Sequence, residues 1–312
     1  MNRLTAEPFI KDQEDIPAPK ALRTTLIMTA WLGTLLLSRL PQIILSESGV
    51  ISPTDWSLWW WIFLGAALIA LTYLWQAVRP LRGYFLVLTM IYVITVGLSL
   101  LNQTSLWISW FGPERPWLTG FFGERLGVVL MALTLAGVLA LMGQKRRDYF
   151  LVLGDVNAPA SGIRLPGREN PLPWSIAGPL IALLLTALFT AAILAMSPIP
   201  VAVSDVIPLL PAVFLLALMN AFGEEMAYRA GPLSQLWQIL GKKQAIWMMA
   251  LWFGLGHYYG GISFGAIGVV YLTLVAVLFG KAMLETKGLA VPVFMHLWGD
   301  VVLYIILALG SA

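Results

Sequence analysis

Two adjacent glutamates, Glu224 and Glu225, stand in an otherwise apolar run, and Arg229 follows four residues after the second. Residues four apart share a helical face, so the Arg229 guanidinium can neutralise Glu225. Glu224 is turned about 100° from that face and keeps a free carboxylate, suited to a general base or a metal ligand. The plainer reading is a helix end whose charges snorkel to the membrane surface; it suits Arg229 alone better than it suits two neighbouring carboxylates. The chain has only two histidines. His257 closes the run Phe253-Gly254-Leu255-Gly256-His257, whose glycines would admit a neighbouring helix. His296 has Asp300 four residues on, on the same face. One histidine among apolar residues is ordinarily a packing residue. Two of them in separate hydrophobic segments, with spare carboxylates nearby, suit acid–base or metal chemistry.

The elements that carry these groups are membrane helices. Of 312 residues, 59% are hydrophobic and 11% charged, against about a quarter charged in a soluble domain. Apolar runs of the roughly 20 residues needed to cross a bilayer recur from residue 22 onward. Nine spans are predicted, at about 22–46, 57–78, 83–102, 125–143, 174–196, 206–230, 245–260, 264–284 and 288–309. The fold class is therefore an all-α, polytopic transmembrane helical bundle with no extensive sheet. A polar cytoplasmic tail (1–21) precedes a four-span region of unassigned role (22–143), a Pro- and Gly-rich connection (144–173) and the segment holding the chemistry (174–312). The first apolar run is full length and reads as an uncleaved span, not a signal peptide.

Lysine and arginine favour cytoplasmic loops. Of the 19 basic residues, all but Arg39, Arg115, Arg125 and Arg229 fall in the tail and the even-numbered connections or next to them, among them Arg79, Arg82, Lys145, Arg146, Arg147, Lys242, Lys243, Lys281 and Lys287. This predicts a cytoplasmic N-terminus and an outside C-terminus, with Arg115 and Arg125 in an outer connection. The compact loops suit a bacterial inner membrane. A net charge of +3 without a basic patch gives no support for nucleic-acid binding, and the absence of cysteine rules out disulfides, thiolate ligands and a cysteine nucleophile. Oligomeric state is left open.

Depth poses a problem. With a helix end at Ala230, Glu224 lies about 9 Å inside, whereas His257 lies roughly 18 Å along its span from Ala245. The two meet only if the sixth helix sits deeper, and the expectation is that Gly231 to Leu240 folds back as a partly buried helix, with Gly231 and Pro232 as breakers. Gly261-Ile262-Ser263-Phe264-Gly265 matches a nucleophile-elbow pattern, but without a strand-turn-helix context it reads as a tight turn. No HExxH sequence and no second intramembrane aspartate for an aspartyl dyad are present. Trp59 to Trp61 read as an interfacial anchor. No internal repeat supports an inverted-repeat transporter.

The ordered set EExxxR (Glu224, Glu225, Arg229), FxxxH (Phe253, His257) and HxxxD (His296, Asp300) resembles the CPBP family of intramembrane proteases. That family includes the Rce1-type CAAX prenyl endopeptidases and bacteriocin-processing or self-immunity proteins. The resemblance covers roughly residues 174–309. It implies an intramembrane endopeptidase acting on a membrane-associated or lipid-modified protein or peptide at the lipid bilayer. By position, Glu224 with His257 would activate the water, His296 and Asp300 would stabilise the oxyanion or complete a metal site, and Glu225 with Arg229 would hold the glutamate helix. Zinc or another divalent metal on Glu224, His257, His296 and Asp300 is one form of this site; a metal-independent glutamate protease is the other. Asp300 stands where the family often has asparagine. An ionised carboxylate cannot donate to an oxyanion, so Asp300 must be protonated, orient His296 or belong to a metal shell. The competing class is a non-catalytic membrane protein: a transporter using Glu224 and the histidines as a proton relay, or an immunity or scaffold protein retaining the fold.

Overall fold

The computed structural model describes residues 20–167, 169–196, 203–260 and 265–310. Residues 1–19 of the expected polar tail and residues 261–264 of the expected tight turn lie outside the described residues, and Lys20 and Ala21 belong to α1. The chain forms α1 (Lys20–Leu36), α2 (Leu40–Glu47), α3 (Leu58–Leu74), α4 (Arg82–Asn102), α5 (Ser105–Phe111), α6 (Trp117–Leu141), α7 (Trp174–Met196), α8 (Val203–Val206), α9 (Leu210–Glu224), α10 (Gly231–Leu240), α11 (Lys242–Gly256), α12 (Gly265–Thr286) and α13 (Ala290–Gly310). Among the described residues there is no strand, only an isolated bridge from Pro159 to Pro173.

Among the described residues six helical stretches are long and apolar enough to cross a membrane: Gln76–Asn102, Trp117–Leu141, Trp174–Ala195, Ile207–Leu240, Gly265–Thr286 and Ala290–Leu309. A helical membrane bundle is what the sequence predicts, but the count of nine is not reproduced. α3 and α11 have 17 and 15 residues, about 26 and 23 Å of helix against a core of about 30 Å. The predicted first span is a pair, α1 and α2, bent by 53°. α6 starts at Trp117, not near 125, so Arg125 is a helical residue and not part of a connection.

The break between α1 and α2 frees backbone carbonyls, which at membrane depth must find other donors. Aromatic side chains supply them. Leu37 O accepts from Trp252 Nε1 at 2.9 Å and from the Tyr92 hydroxyl, and Ser38 O accepts from Trp61 Nε1 at 2.8 Å. Trp61 is thus buried against the bend, contrary to its reading as an interfacial anchor, while Trp59 and Trp60 are exposed.

Ile207–Leu240 does not fold back at Gly231 and Pro232. α9 runs through a π-helical turn, Glu225–Ala230, straight into α10, where Pro232 sits in the first turn and needs no intrahelical donor. The depth problem has a different solution. The polypeptide reverses at Gly241, whose φ of +83° suits glycine, and α10 packs along α11. Gly241 lies almost midway in sequence between Glu224 and His257, so both residues stand about 24–25 Å from that reversal, at the same level.

Two glycines hold the site helices together. A Cβ on Gly254 would lie 2.7 Å from Val269 O, and one on Gly223 would lie 2.9 Å from Val128 O, so α11 packs directly on the backbone of α12 and α9 on that of α6. Gly256 meets nothing within 4 Å and lines open space instead of admitting a helix. The long polar connection is tied to the α12–α13 turn: Asp155 N donates to Thr286 O at 2.7 Å and Leu289 N to Val152 O at 2.9 Å.

Candidate active site

A cavity of about 590 Å³ opens between the helices, and Glu224, His257, His296 and Asp300 all line it. Each arrives by a different route: Glu224 ends α9, His257 follows the last residue of α11, and His296 and Asp300 stand one turn apart on α13. Glu224 Oε2 lies 3.7 Å from His296 Nε2, and Asp300 Oδ2 lies 3.6 Å from the same nitrogen.

Glu225 points away from Glu224 into a buried cluster. Its Oε1 pairs with Arg229 Nη1 and with His296 Nδ1, the latter at 2.8 Å. The side chains of Arg229 and Glu225 are 1% and 0% exposed, so the alternative of a snorkelling Arg229 does not apply. Arg229 Nε and Nη2 find no hydrogen-bond partner. The rings of Phe253 and Phe279 lie 4.2 and 5.1 Å from its carbon centre instead and stabilise the cation through their π faces. Glu225 therefore does more than hold its own helix: an ionised carboxylate only accepts, so it draws the Nδ1 proton of His296 and presents Nε2 to the cavity.

Phe253 joins the two halves of the site. Its ring covers Arg229 and lies 4.4 Å from the His257 ring, and its carbonyl lies 2.9 Å from His257 Nδ1. A carbonyl only accepts, so Nδ1 carries the proton and the neutral ring has Nε2 as its acceptor.

Asp300 rests on a polar chain that the sequence reading missed. Asn220 Nδ2 donates to Asp300 Oδ2 at 2.9 Å, Arg125 Nη1 donates to Asn220 Oδ1 at 2.6 Å, and the same nitrogen reaches the Tyr304 hydroxyl at 2.8 Å. Because arginine can only donate, the Asn220 amide has one orientation, oxygen toward Arg125 and nitrogen toward Asp300. Two signals for this chain were in the sequence: Asn220 lies four residues before Glu224, and Tyr304 four after Asp300, each extending a helical stripe. Arg125 gave none, because it was placed in a loop.

Among the described residues no group of three or more histidine, aspartate or glutamate side chains is placed to hold a metal ion. His296 and His257 are engaged at Nδ1, by Glu225 and by the Phe253 carbonyl, so Nε2 is the nitrogen of each ring that a metal would take.

Fold and site together define a polytopic helical membrane protein with an acid–histidine centre sunk inside the bundle. Residues 206–302 match the family model described as type II CAAX prenyl endopeptidase, Rce1-like. That stretch contains all three motifs and is narrower than the 174–309 expected from the resemblance; it leaves out α1 to α7. Searches of curated proteins and of solved structures gave no match.

Proposed function

We propose that this protein is an intramembrane endopeptidase of the CAAX-protease kind that hydrolyses a peptide bond in a membrane-associated or lipid-modified protein or peptide. The observation that carries the reading is the division of labour between adjacent carboxylates. Glu225 is consumed by Arg229 and His296, while Glu224 faces the cavity with His296 Nε2 at 3.7 Å. Glu224 takes a proton from a water held between it and the acceptor Nε2 of His257, and the hydroxide attacks the scissile carbonyl carbon. The developing oxyanion accepts from His296 Nε2–H in the imidazolium form, with Nδ1–H fixed on Glu225. Asp300 orients that ring, and Asn220 and Arg125 fix Asp300. Glu224 then returns its proton to the leaving amine, which balances the step.

The proposal extends to topology: the N-terminus in the cytoplasm and the C-terminus outside, in a bacterial inner membrane, on the distribution of basic residues. With no native cysteine in the chain, single introduced cysteines labelled from one side of the membrane report each loop without background.

The function is tested by comparing peptide termini from membranes of cells carrying the native protein or Glu224→Gln at matched abundance. Termini that disappear in the variant name the substrate. Indistinguishable termini overturn the protease reading in favour of a transporter or a scaffold. Adding a chelator to the native sample is expected to leave those termini in place, and their loss would return a metal to the site.

A further inference from the structure

Among the described residues Arg39 has no carboxylate partner. It lies in the break between α1 and α2 and lines the same cavity as Glu224. Among the described residues its side-chain hydrogen bonding is a long contact of 3.5 Å from Nη1 to Gln42 Oε1, and no aspartate or glutamate is in an ion pair with it. Arg39 is half-buried; a cation in a membrane bundle without a counter-ion is costly, and one that lines a cavity can be neutralised by what enters it.

The break that presents Arg39 is built. Donors from three separate helices, Trp61, Tyr92 and Trp252, satisfy the carbonyls of Leu37 and Ser38. The unwound residues are thereby fixed, and the guanidinium faces the cavity within electrostatic reach of the Tyr92 and Tyr228 hydroxyls. Tyr228 is in turn within reach of Glu224, and all three side chains line the one cavity.

We propose that Arg39 is an anion-binding subsite of the cavity and that it takes the terminal carboxylate of a substrate chain. The cavity, about 590 Å³, is of the size that holds a drug-sized molecule, and so a few residues of peptide. A chain end enters such a space and brings its own carboxylate, whereas an internal segment must also leave it. A guanidinium binds a carboxylate through two parallel hydrogen bonds. The subsite deepens the protease reading and rests on the cavity being where substrate lies. Arg39 falls outside the Rce1-like stretch, so the half without motifs would choose which peptides reach the base.

The test separates binding from cleavage. The full-length protein carrying Glu224→Gln, which stops turnover, is placed in phosphatidylcholine nanodiscs. Binding of a dansylated alanine–leucine tetrapeptide is compared with binding of its C-terminal amide. The free acid should bind at least about tenfold more tightly than the amide, the scale of a hydrogen bond to a charged group. Arg39→Gln should erase that preference and Arg39→Lys should keep part of it. Equal binding of acid and amide, no measurable binding of either, or a preference that survives Arg39→Gln overturns the subsite. A preference lost when phosphatidylglycerol replaces part of the lipid also overturns it, since Arg39 then serves lipid headgroups. Acid preference in a protein that cleaves nothing would leave the subsite standing and remove the protease.

Discussion

The two halves of this molecule contribute to one cavity in unlike ways. From Leu210 onward, α9 to α13 supply the groups able to do chemistry, some paired at short spacings, as Glu225 with Arg229, His257 with the Phe253 carbonyl and His296 with Asp300, and others joined from α9 to α13, as Glu225 with His296 and Asn220 with Asp300. Before residue 143, α1 to α6 supply no motif, yet Arg39, Tyr92 and Arg125 line the same cavity. Their contacts reach across most of the chain, from Arg125 to Asn220 and Tyr304 and from Trp252 to Leu37. The groups able to do chemistry come from one half of the sequence, and part of the wall that orients them comes from the other. If so, changes in the second half should remove turnover or the fold, and changes in the first should weaken both by degrees.

The largest expected effect is on turnover alone. Glu224→Gln keeps shape and polarity at a cavity-facing position, so thermal unfolding in detergent should shift little while cleavage falls by about 10²–10⁴-fold, the range attributed to general acid–base catalysis. A variant that cleaves at the native rate would remove the base from the second half and the contrast with it.

Next comes Glu225, next to Glu224 in sequence and opposite to it in role. Glu225→Leu strands a buried guanidinium, and breaking a buried pair by removing one partner costs about 3–5 kcal/mol. The variant should unfold at markedly lower temperature or fail to accumulate. Glu225→Gln, which still accepts from His296, should recover part of that stability. An unfolding temperature unchanged in Glu225→Leu would show that the pair does not hold the helix.

Arg125 carries the comparison into the first half. Arg125→Leu removes the donor that fixes Asn220 and leaves the Tyr304 hydroxyl without it, a loss on the order of 1–3 kcal/mol for polar groups left unpaired. With Asn220 free to turn, Asp300 loses its anchor, and cleavage should drop by about 10–100-fold with substrate affinity little altered. A loss of affinity without a loss of rate would make Arg125 a substrate ligand and not a positioning residue.

These cases show what the sequence made legible. The pairing of Glu225 with Arg229 and the freedom of Glu224 follow from helical periodicity and needed no tertiary knowledge. The helical membrane class followed from composition, and the Rce1-like match at 206–302 falls on the motifs read by spacing. The count of nine spans is not confirmed: α3 and α11 are short for a crossing and α1–α2 is bent. Two readings failed for identifiable reasons. Gly231-Pro232 looked like a breaker because sequence rules do not see a π-helical turn feeding a proline into the first turn of α10. Arg125 looked like a loop residue because its partners lie 95 and 179 residues away.

The smallest predicted effect probes the bend. Trp252 Nε1 is one of two donors to Leu37 O, the other being the Tyr92 hydroxyl. Trp252→Phe keeps an aromatic ring against Tyr228 but removes the donor, at a net cost of about 1 kcal/mol. Tyr92→Phe should cost about the same. The double variant leaves a freed carbonyl at membrane depth with no partner, so its loss should exceed the sum of the two single losses. Unfolding temperatures of the three variants form the cycle. Simple additivity would mean that water reaches Leu37 O from the cavity and that the bend is held by packing alone. Coupling would mean that the two donors act as one support, and that the first half holds its wall residues in place as firmly as the second half holds its base.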